Sequence, residues 1–403
     1  MADWQPDVIV VGSGVGGSMA AYALGRAGVK VAVYEAGRHY DPEIETPMMN
    51  WDREAPLRAV GTPDKPFGYY DATVDGGWEV PGEPYTVGEG SKFMWWRSRM
   101  LGGRTNHWAR HVPRFGPLDF KPYSRDGRGV DWPIGYDDLK PWYDRAEMLM
   151  GVIGENIDLP NVPDSPAHVR QPPPVPRVPE LLLKAACDEM DIPCIAPPRA
   201  VITRPLNGRQ ACFYASPCDR GCSIGANFQA VTVLLAPALK TGNVRVTTDA
   251  MVAEVLTDKD GRANGIRYVD KKSGEWREAR AGAVILAASA CETARILLNS
   301  KSKAFPQGLA NGSGEVGRNL WSNLPLLTPH DQVKFVICDR ADYEWSKGVL
   351  AEHRLAGTCD VLFSPSFGQV DGRELADWIV AERLPVRFQL QLHKLLWNDE
   401  PGR

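Results

Sequence analysis

The chain opens on a short apolar, β-branched run, DVIVV, followed by GSGVGG, the small-residue stretch SMAAYALGRAG ending at Gly28, and a second β-branched run, VKVAVYE. Two such runs around a helix-period stretch predict a βαβ unit over residues 7–35, with parallel strands and a right-handed crossover. Residues 40–90 lose all period and are rich in Gly, Pro and aromatics, which predicts an irregular excursion. DWPIGYDDLKPWYDRAEMLMGV opens on a turn and predicts a helix from about Asp137, with Leu139, Trp142 and Ala146 at helical spacing. LPNVPDSPAHVRQPPPVPRVPE predicts an extended surface crossing, because proline removes the amide donor and fixes φ. Pro179 then sits where a helix can start, leading ELLLKAACDEM.

Residues 243–270 predict β-branched strands punctuated by Asp-Gly and Asn-Gly turns. AGAVILAASACETARILLNS then predicts a strand followed by a helix, so the first sheet is rejoined here. After residue 330 the pattern starts afresh: QVKFVIC, helix ADYEWSKGVLAEHR, DVLFSPS, helix GRELADWIVAER and VRFQLQLHKLLW form a βαβαβ run of their own.

A length of 403 residues admits two or more domains. The 43% hydrophobic and 24% charged content is ordinary globular usage, which excludes a disordered or fibrous chain. Net charge is −4, of which residues 1–321 carry −1 and residues 322–403 carry −3, and no basic stripe argues for nucleic acid. No apolar run approaches the roughly 18 residues of a membrane span. MADWQPDVIVVGSG enters a strand at once without a basic segment, so the expectation is no secretory signal and a cytoplasmic location. Eight cysteines at uneven spacing are too few for a disulfide scaffold.

Gly12, Gly14 and Gly17 form G-x-G-x-x-G between a strand and a helix, and Glu35 ends the next strand. These glycines allow a tight turn, close backbone approach to a pyrophosphate, and close helix-strand packing. The helix N-terminus offers free amides to the phosphates, and Glu35 accepts from ribose hydroxyls. In YEAGR, Glu35 is followed by Ala-Gly, which resembles the flavoprotein version of the unit and makes FAD the expected cofactor.

RSRMLGGRTNHWARHVPRF, residues 97–115, resembles the glucose-methanol-choline (GMC) oxidoreductases. Gly102 and Gly103 match that family's Gly-Gly turn, and Asn106 and His107 fall in the polar segment that it sets against the isoalloxazine. The likeness continues through DWPIGYDDLKPWYDRAE, the DAMVAEV strand with Val252 near the adenine by analogy, ASACETARILLNS and GEVGRNL, over about residues 5–320. It implies an α/β chain with a Rossmann-like FAD-binding domain in two parts, 1–115 and 226–321, around an irregular substrate-side and cysteine-loop segment, 116–225.

Within the family the chain is similar to bacterial sugar, gluconate and polyol dehydrogenase large subunits. That implies a sugar or alcohol substrate, a small subunit, a cytochrome acceptor, and export to the periplasmic membrane face by a signal-bearing partner as the alternative location. Asn106-His107-Trp108 occupies the setting in which some relatives attach FAD covalently through histidine. Noncovalent contact and plain packing are the alternatives for His107. Trp95, Trp96 and Trp108 are expected in the core or shielding the cofactor.

CFYASPCDRGC places Cys212, Cys218 and Cys222 at C-x5-C-x3-C. Three thiolates on one loop suit an iron-sulfur cluster better than zinc, which takes four ligands; free buried thiols are the alternative. The resemblance implies hydride transfer from a carbinol carbon to flavin while a C-terminal histidine, paired with His or Asn, accepts the hydroxyl proton.

No residue here matches that pair. From about Leu324 the chain resembles instead the C-terminal end of 7-carboxy-7-deazaguanine synthase, part of an incomplete barrel, so two proteins are expected to meet near residues 320–325. His330, His353 and His393 lie in that tail and match no GMC catalytic position. The tail family's C-x3-C-x2-C type motif is absent, which argues against radical chemistry.

Overall fold

The computed structural model describes residues 4–45, 76–77, 80, 82–87, 95, 97–127, 129–156, 162–214, 218, 221–318 and 332–390. Trp96, Leu324, His330, His393 and most of the 40–90 excursion lie outside the described residues. The chain divides into two compact units, Met1–Leu320 and Trp321–Arg403.

The first unit is built on β1 (Val8–Val11), α1 (Val15–Arg26) and β2 (Val31–Tyr34). A short ribbon pairs β3 (Gly76–Gly77) with β4 (Arg97–Ser98). β5 (Val244–Thr247) and, after three further strands, β9 (Ala283–Leu286) join β1 and β2 in a parallel sheet of order β5-β2-β1-β9. Val10 pairs with Val33 on one side and Ile285 on the other. Successive residues of a strand face opposite sides. Val10 therefore packs with Ala21, Met100 and Leu235, while Ile9 and Val11 pack with Val252, Ile266 and Ile296. Both faces of β1 are covered, which is why it reads as an unbroken apolar run. Past its end, the Gly12 amide donates to the Tyr34 carbonyl at 2.8 Å and the Ala287 amide to the Val11 carbonyl at 2.8 Å.

Three details differ from the sequence expectation. Helix α1 begins at Val15, inside the glycine stretch, because those glycines let its first turn pack directly on the strand end. The strands between β5 and β9, namely β6 (Ala250–Thr257), β7 (Ala263–Asp270) and β8 (Trp276–Arg280), make a separate antiparallel sheet, so only β5 and β9 rejoin the first one. Asn264-Gly265 is no turn: it lies within β7, where a Cβ on residue 265 would stand 2.3 Å from the Ala279 carbonyl oxygen of β8.

Among the helices of this unit are α2 (Tyr136–Met150), α3 (Val178–Glu189) and α4 (Ser289–Asn299). Trp142 of α2 is 61% exposed under the Arg145 guanidinium, and the side chain that α2 buries is the carboxylate of Glu147. The described part of the proline-rich crossing, residues 162–177, forms no helix, turns at 167–169 and buries Ser165 and Val169.

The second unit has β10 (Gln332–Ile337), α5 (Arg340–Glu352), β11 (Asp360–Pro365), α6 (Gly372–Ala381) and β12 (Arg387–Phe388), with parallel strands in the order β10-β11-β12. Ile337, Tyr343, Phe363 and Leu375 form its core. Asp339 and Asp371 cap the two helices, the Asp371 carboxylate accepting from the amides of Arg373 at 2.8 Å and Glu374 at 3.2 Å. Losing such a cap costs about 1 kcal/mol. Asp371→Ala should therefore speed amide exchange in α6 about fivefold, read by hydrogen-exchange mass spectrometry, and unchanged exchange would show that the cap contributes nothing.

Candidate functional site

A cavity of about 680 Å³ opens at the carboxyl ends of β1, β2 and β9, whose last residues Val11, Tyr34 and Leu286 line it. Open parallel sheets bind ligands at this edge. Gly12, Gly14, Glu35, Gly103 and Val252 also lie on its wall, together with the first turn of α4.

The three glycines meet different surroundings. A Cβ on Gly17 would stand 1.9 Å from the Gly12 carbonyl oxygen, so that glycine lets the helix touch the strand end. A Cβ on Gly14 would meet nothing within 4 Å. Open space in front of that backbone, beside the free amides of a helix start, is what an approaching phosphate requires.

Glu35 is 7% exposed. Its Oε2 accepts from the Ser13 amide at 2.9 Å and the Ser13 hydroxyl at 2.6 Å, and its Oε1 from the Gly37 amide at 2.7 Å. Ser13 Oγ in turn accepts from the Gly102 amide at 2.9 Å. Ser13 thus ties the first glycine turn and the acid to the second glycine turn. The G-x-G-x-x-G pattern carries no signal for it, because it occupies a free position.

Gly17, Gly102, Asn106 and His107 stand behind the wall rather than on it. Gly102 has φ +86°, and a Cβ there would lie 2.6 Å from Val231 Cγ2. The Asn106 amide donates to the Leu101 carbonyl at 2.9 Å and accepts from Gln229 at 3.4 Å, bracing the turn. His107 is 6% exposed, with Nε2 2.5 Å from Ser98 Oγ. Trp95 is on the wall, whereas Trp108 packs edge-on to Phe228 and donates to its carbonyl at 3.2 Å.

A charged network that the sequence did not reveal borders the cavity. Glu292 meets Arg99 at 2.5 Å and Arg295 at 2.5 Å, and Arg99 also pairs with Glu83 at 2.6 Å. Arg295 further donates to the Val252 carbonyl at 2.8 Å. Burial pushes the Glu292 carboxyl up, but Arg295 and Arg99 outweigh it and hold the group below its ordinary value. Burial, with Tyr268 adding to it, pushes the Tyr34 phenol up to about 12, so this wall residue keeps its proton.

Away from the cavity, Cys222 is buried and Cys212 and Cys218 are half-buried. Burial pushes the Cys218 thiol up; Arg110 and Arg199 oppose this, and the neighbouring Cys212 and Cys222 add to it. Three thiols with arginines beside them have the donor chemistry of an anionic cluster, in which each thiolate takes its own iron. Among the described residues, no group of three His, Cys, Asp or Glu side chains converges to hold a metal ion. Residues 215–217, 219 and 220 of this loop lie outside the described residues.

A parallel sheet, a glycine-rich turn into a helix, and an acid ending the second strand define a Rossmann-type dinucleotide-binding fold. The chain belongs to the GMC oxidoreductases, whose family model matches residues 6–324. It is 32% identical over 323 residues to 2-methyl-1,2-propanediol dehydrogenase of Mycolicibacterium austroafricanum, covering 79% of this chain and 55% of that one. It is 31% identical over 336 residues to the fructose dehydrogenase large subunit of Gluconobacter japonicus, covering 78% of this chain and 58% of the relative. The chain thus spans little more than half the length of these relatives. A separate, shorter match to 7-carboxy-7-deazaguanine synthase of Chlorobaculum tepidum is 42% identical over 94 residues, 23% of this chain and 43% of that one.

Proposed function

We propose that the first unit binds FAD in the cavity and serves oxidation of the CH-OH group of a sugar, polyol or other alcohol, with electrons passing to an external acceptor. The observation that carries this reading is the open space before Gly14 at the carboxyl edge of the sheet. The backbone of Gly12 to Gly16 and the start of α1 would take the pyrophosphate, Glu35 the ribose hydroxyls, the Val252 strand the adenine, and the Gly103 turn the flavin end. FAD, when bound, supplies the hydride-accepting ring; the chain's own residues orient it and exclude water around it.

The large-subunit name of the fructose dehydrogenase relative favours a smaller partner subunit, the resemblance to sugar dehydrogenases favours a cytochrome acceptor, and the C-x5-C-x3-C spacing of Cys212, Cys218 and Cys222 favours an iron-sulfur cluster as the exit route. Iron and acid-labile sulfide above one equivalent per chain would support the cluster, and their absence from anaerobically purified protein would refute it.

A second reading, a flavin-binding fusion without turnover, is favoured by the separate, shorter match to 7-carboxy-7-deazaguanine synthase beside the GMC match over residues 6–324. A visible spectrum of the FAD-loaded chain, taken before and after a panel of sugars and polyols, separates the two. Bleaching of the flavin bands supports the oxidoreductase, persistent bands the inactive fusion, and failure to take up FAD overturns both.

A further inference from the structure

Helix α3 buries none of its side chains, and Leu181, Leu182 and Leu183 on it are exposed. The chain that follows is better anchored. Past the helix end, Asp191 takes φ +54° and the Ile192 amide donates back to the Cys187 carbonyl at 2.9 Å, which reverses the chain. Pro193 then bars a return to helix. The Ala196 amide donates to Glu155 Oε2 at 2.8 Å, the Ala196 carbonyl accepts from the Glu155 amide at 3.0 Å, and the Arg199 amide donates to the Ile153 carbonyl at 3.1 Å.

This reversal lays Cys194 beside Cys187. Both are free, half-buried thiols, and the Cys187 side chain hydrogen-bonds to that of Cys194. A disulfide requires its two sulfurs to meet at a fixed, short separation, so thiols already in contact need little backbone movement to join.

We propose that Cys187 and Cys194 are a redox pair that closes to a disulfide and so staples the end of α3 to the anchored segment behind it. The oxidant is a small disulfide, for which oxidised glutathione serves. One cysteine thiolate attacks it, forming a mixed disulfide and releasing one glutathione thiolate; the second cysteine attacks the protein sulfur of that mixed disulfide and releases the other. Two protein S–H bonds are lost, one S–S bond forms, and two electrons reduce the oxidised glutathione to two thiols. Burial pushes the Cys187 thiol up, and Cys194 and Asp188 add to this against Lys184. Cys187 therefore suits the second step, after Cys194 has taken the glutathione.

No lysine or arginine lies between Lys184 and Arg199, so trypsin releases both cysteines in one peptide, residues 185–199. The full chain is equilibrated with oxidised and reduced glutathione and trapped with iodoacetamide. At an oxidising ratio the peptide should be two hydrogens lighter than its dithiol and carry no alkyl group. Cys187→Ser should instead hold glutathione on Cys194. The oxidation equilibrium should favour the disulfide at least about tenfold more in the folded chain than in concentrated urea. Equal equilibria would mean that the fold does not bring the sulfurs together and would overturn the proposal, as would a wild-type peptide that carries two alkyl groups or two glutathiones.

The staple has its own readout. Amide exchange in α3 should slow about tenfold when the wild type is oxidised, and should not respond in Cys187→Ser. Exchange in wild type that ignores the redox state would overturn the staple. Neither measurement involves flavin or substrate, so the outcome stands apart from the alcohol-oxidising reading.

Discussion

Gly17→Ala should leave the first unit without a cooperative fold, whereas Gly14→Val should leave it folded and empty of flavin. At position 17 the added carbon would lie 1.9 Å from the Gly12 carbonyl oxygen and 3.1 Å from Val10 Cγ1. The clash is with backbone that is itself tied to Tyr34, so relief requires lifting α1 off the sheet. Overpacking of this kind costs 1 to 3 kcal/mol or more, and lifting a helix adds lost burial, against a total stability of roughly 5 to 15 kcal/mol. At position 14 the Cβ of the added side chain would meet no protein atom within 4 Å, so the melting temperature should barely move. The same side chain would fill the approach to the α1 amides, and flavin retention should fall at least about 100-fold. Thermal melts and the flavin-to-protein absorbance ratio read the two outcomes separately. Flavin at wild-type level in Gly14→Val would mean that the pyrophosphate lies elsewhere.

Arg114→Met should be the most damaging change outside the cavity. Glu147 Oε1 accepts from Arg114 Nε at 2.9 Å and from Arg170 at 3.2 Å, while Oε2 accepts from a second Arg114 nitrogen at 2.8 Å and from Ser165 at 2.6 Å. The Arg114 side chain is wholly buried, so removing it leaves the desolvated carboxylate with only Arg170 and Ser165, a loss of about 3 kcal/mol. Burial pushes the Glu147 carboxyl up, but hydrogen bonds from Arg114, Ser165 and Arg170 outweigh it and hold the group below its ordinary 4.5. Because the folded value lies below the unfolded one, Glu147 contributes stability above about pH 4.5 and loses it as the pH falls through the folded value. Thermal midpoints from pH 6 to pH 3 should therefore decline less steeply in Glu147→Gln than in wild type. Parallel declines would show that this carboxyl does not drive acid unfolding.

What the sequence disclosed, and what it hid, follows from the range of the interactions. The βαβ unit, the glycine turn and Glu35 were legible because strand period, turn chemistry and helix start are local properties of a few neighbouring residues. The second unit was legible for the same reason, its strands and helices alternating without interruption. The Glu147 cluster was not, because Arg114, Glu147, Ser165 and Arg170 come from separate segments, and a carboxylate at a helical position reads as solvent-facing. Trp142 was placed at helical spacing with Leu139 and Ala146, yet it is exposed and Glu147 takes the inside. Asn264-Gly265 was read as a turn because no local signal announces that a carbonyl of β8 will press against residue 265.

The tethering of Gly12 to Tyr34 and of Ala287 to Val11 extends the innermost ladder of the sheet one step into the cavity floor. That floor has its shape before any ligand arrives, so little ordering entropy remains to be lost there on binding. Another part of the wall, with Trp95, Arg97 and Arg99, hangs on a two-residue ribbon and on long-range ion pairs such as Arg99 with Glu83. Differences in affinity between nucleotides should accordingly appear mainly in dissociation rates set by that wall, with the floor acting as a rigid template common to them all.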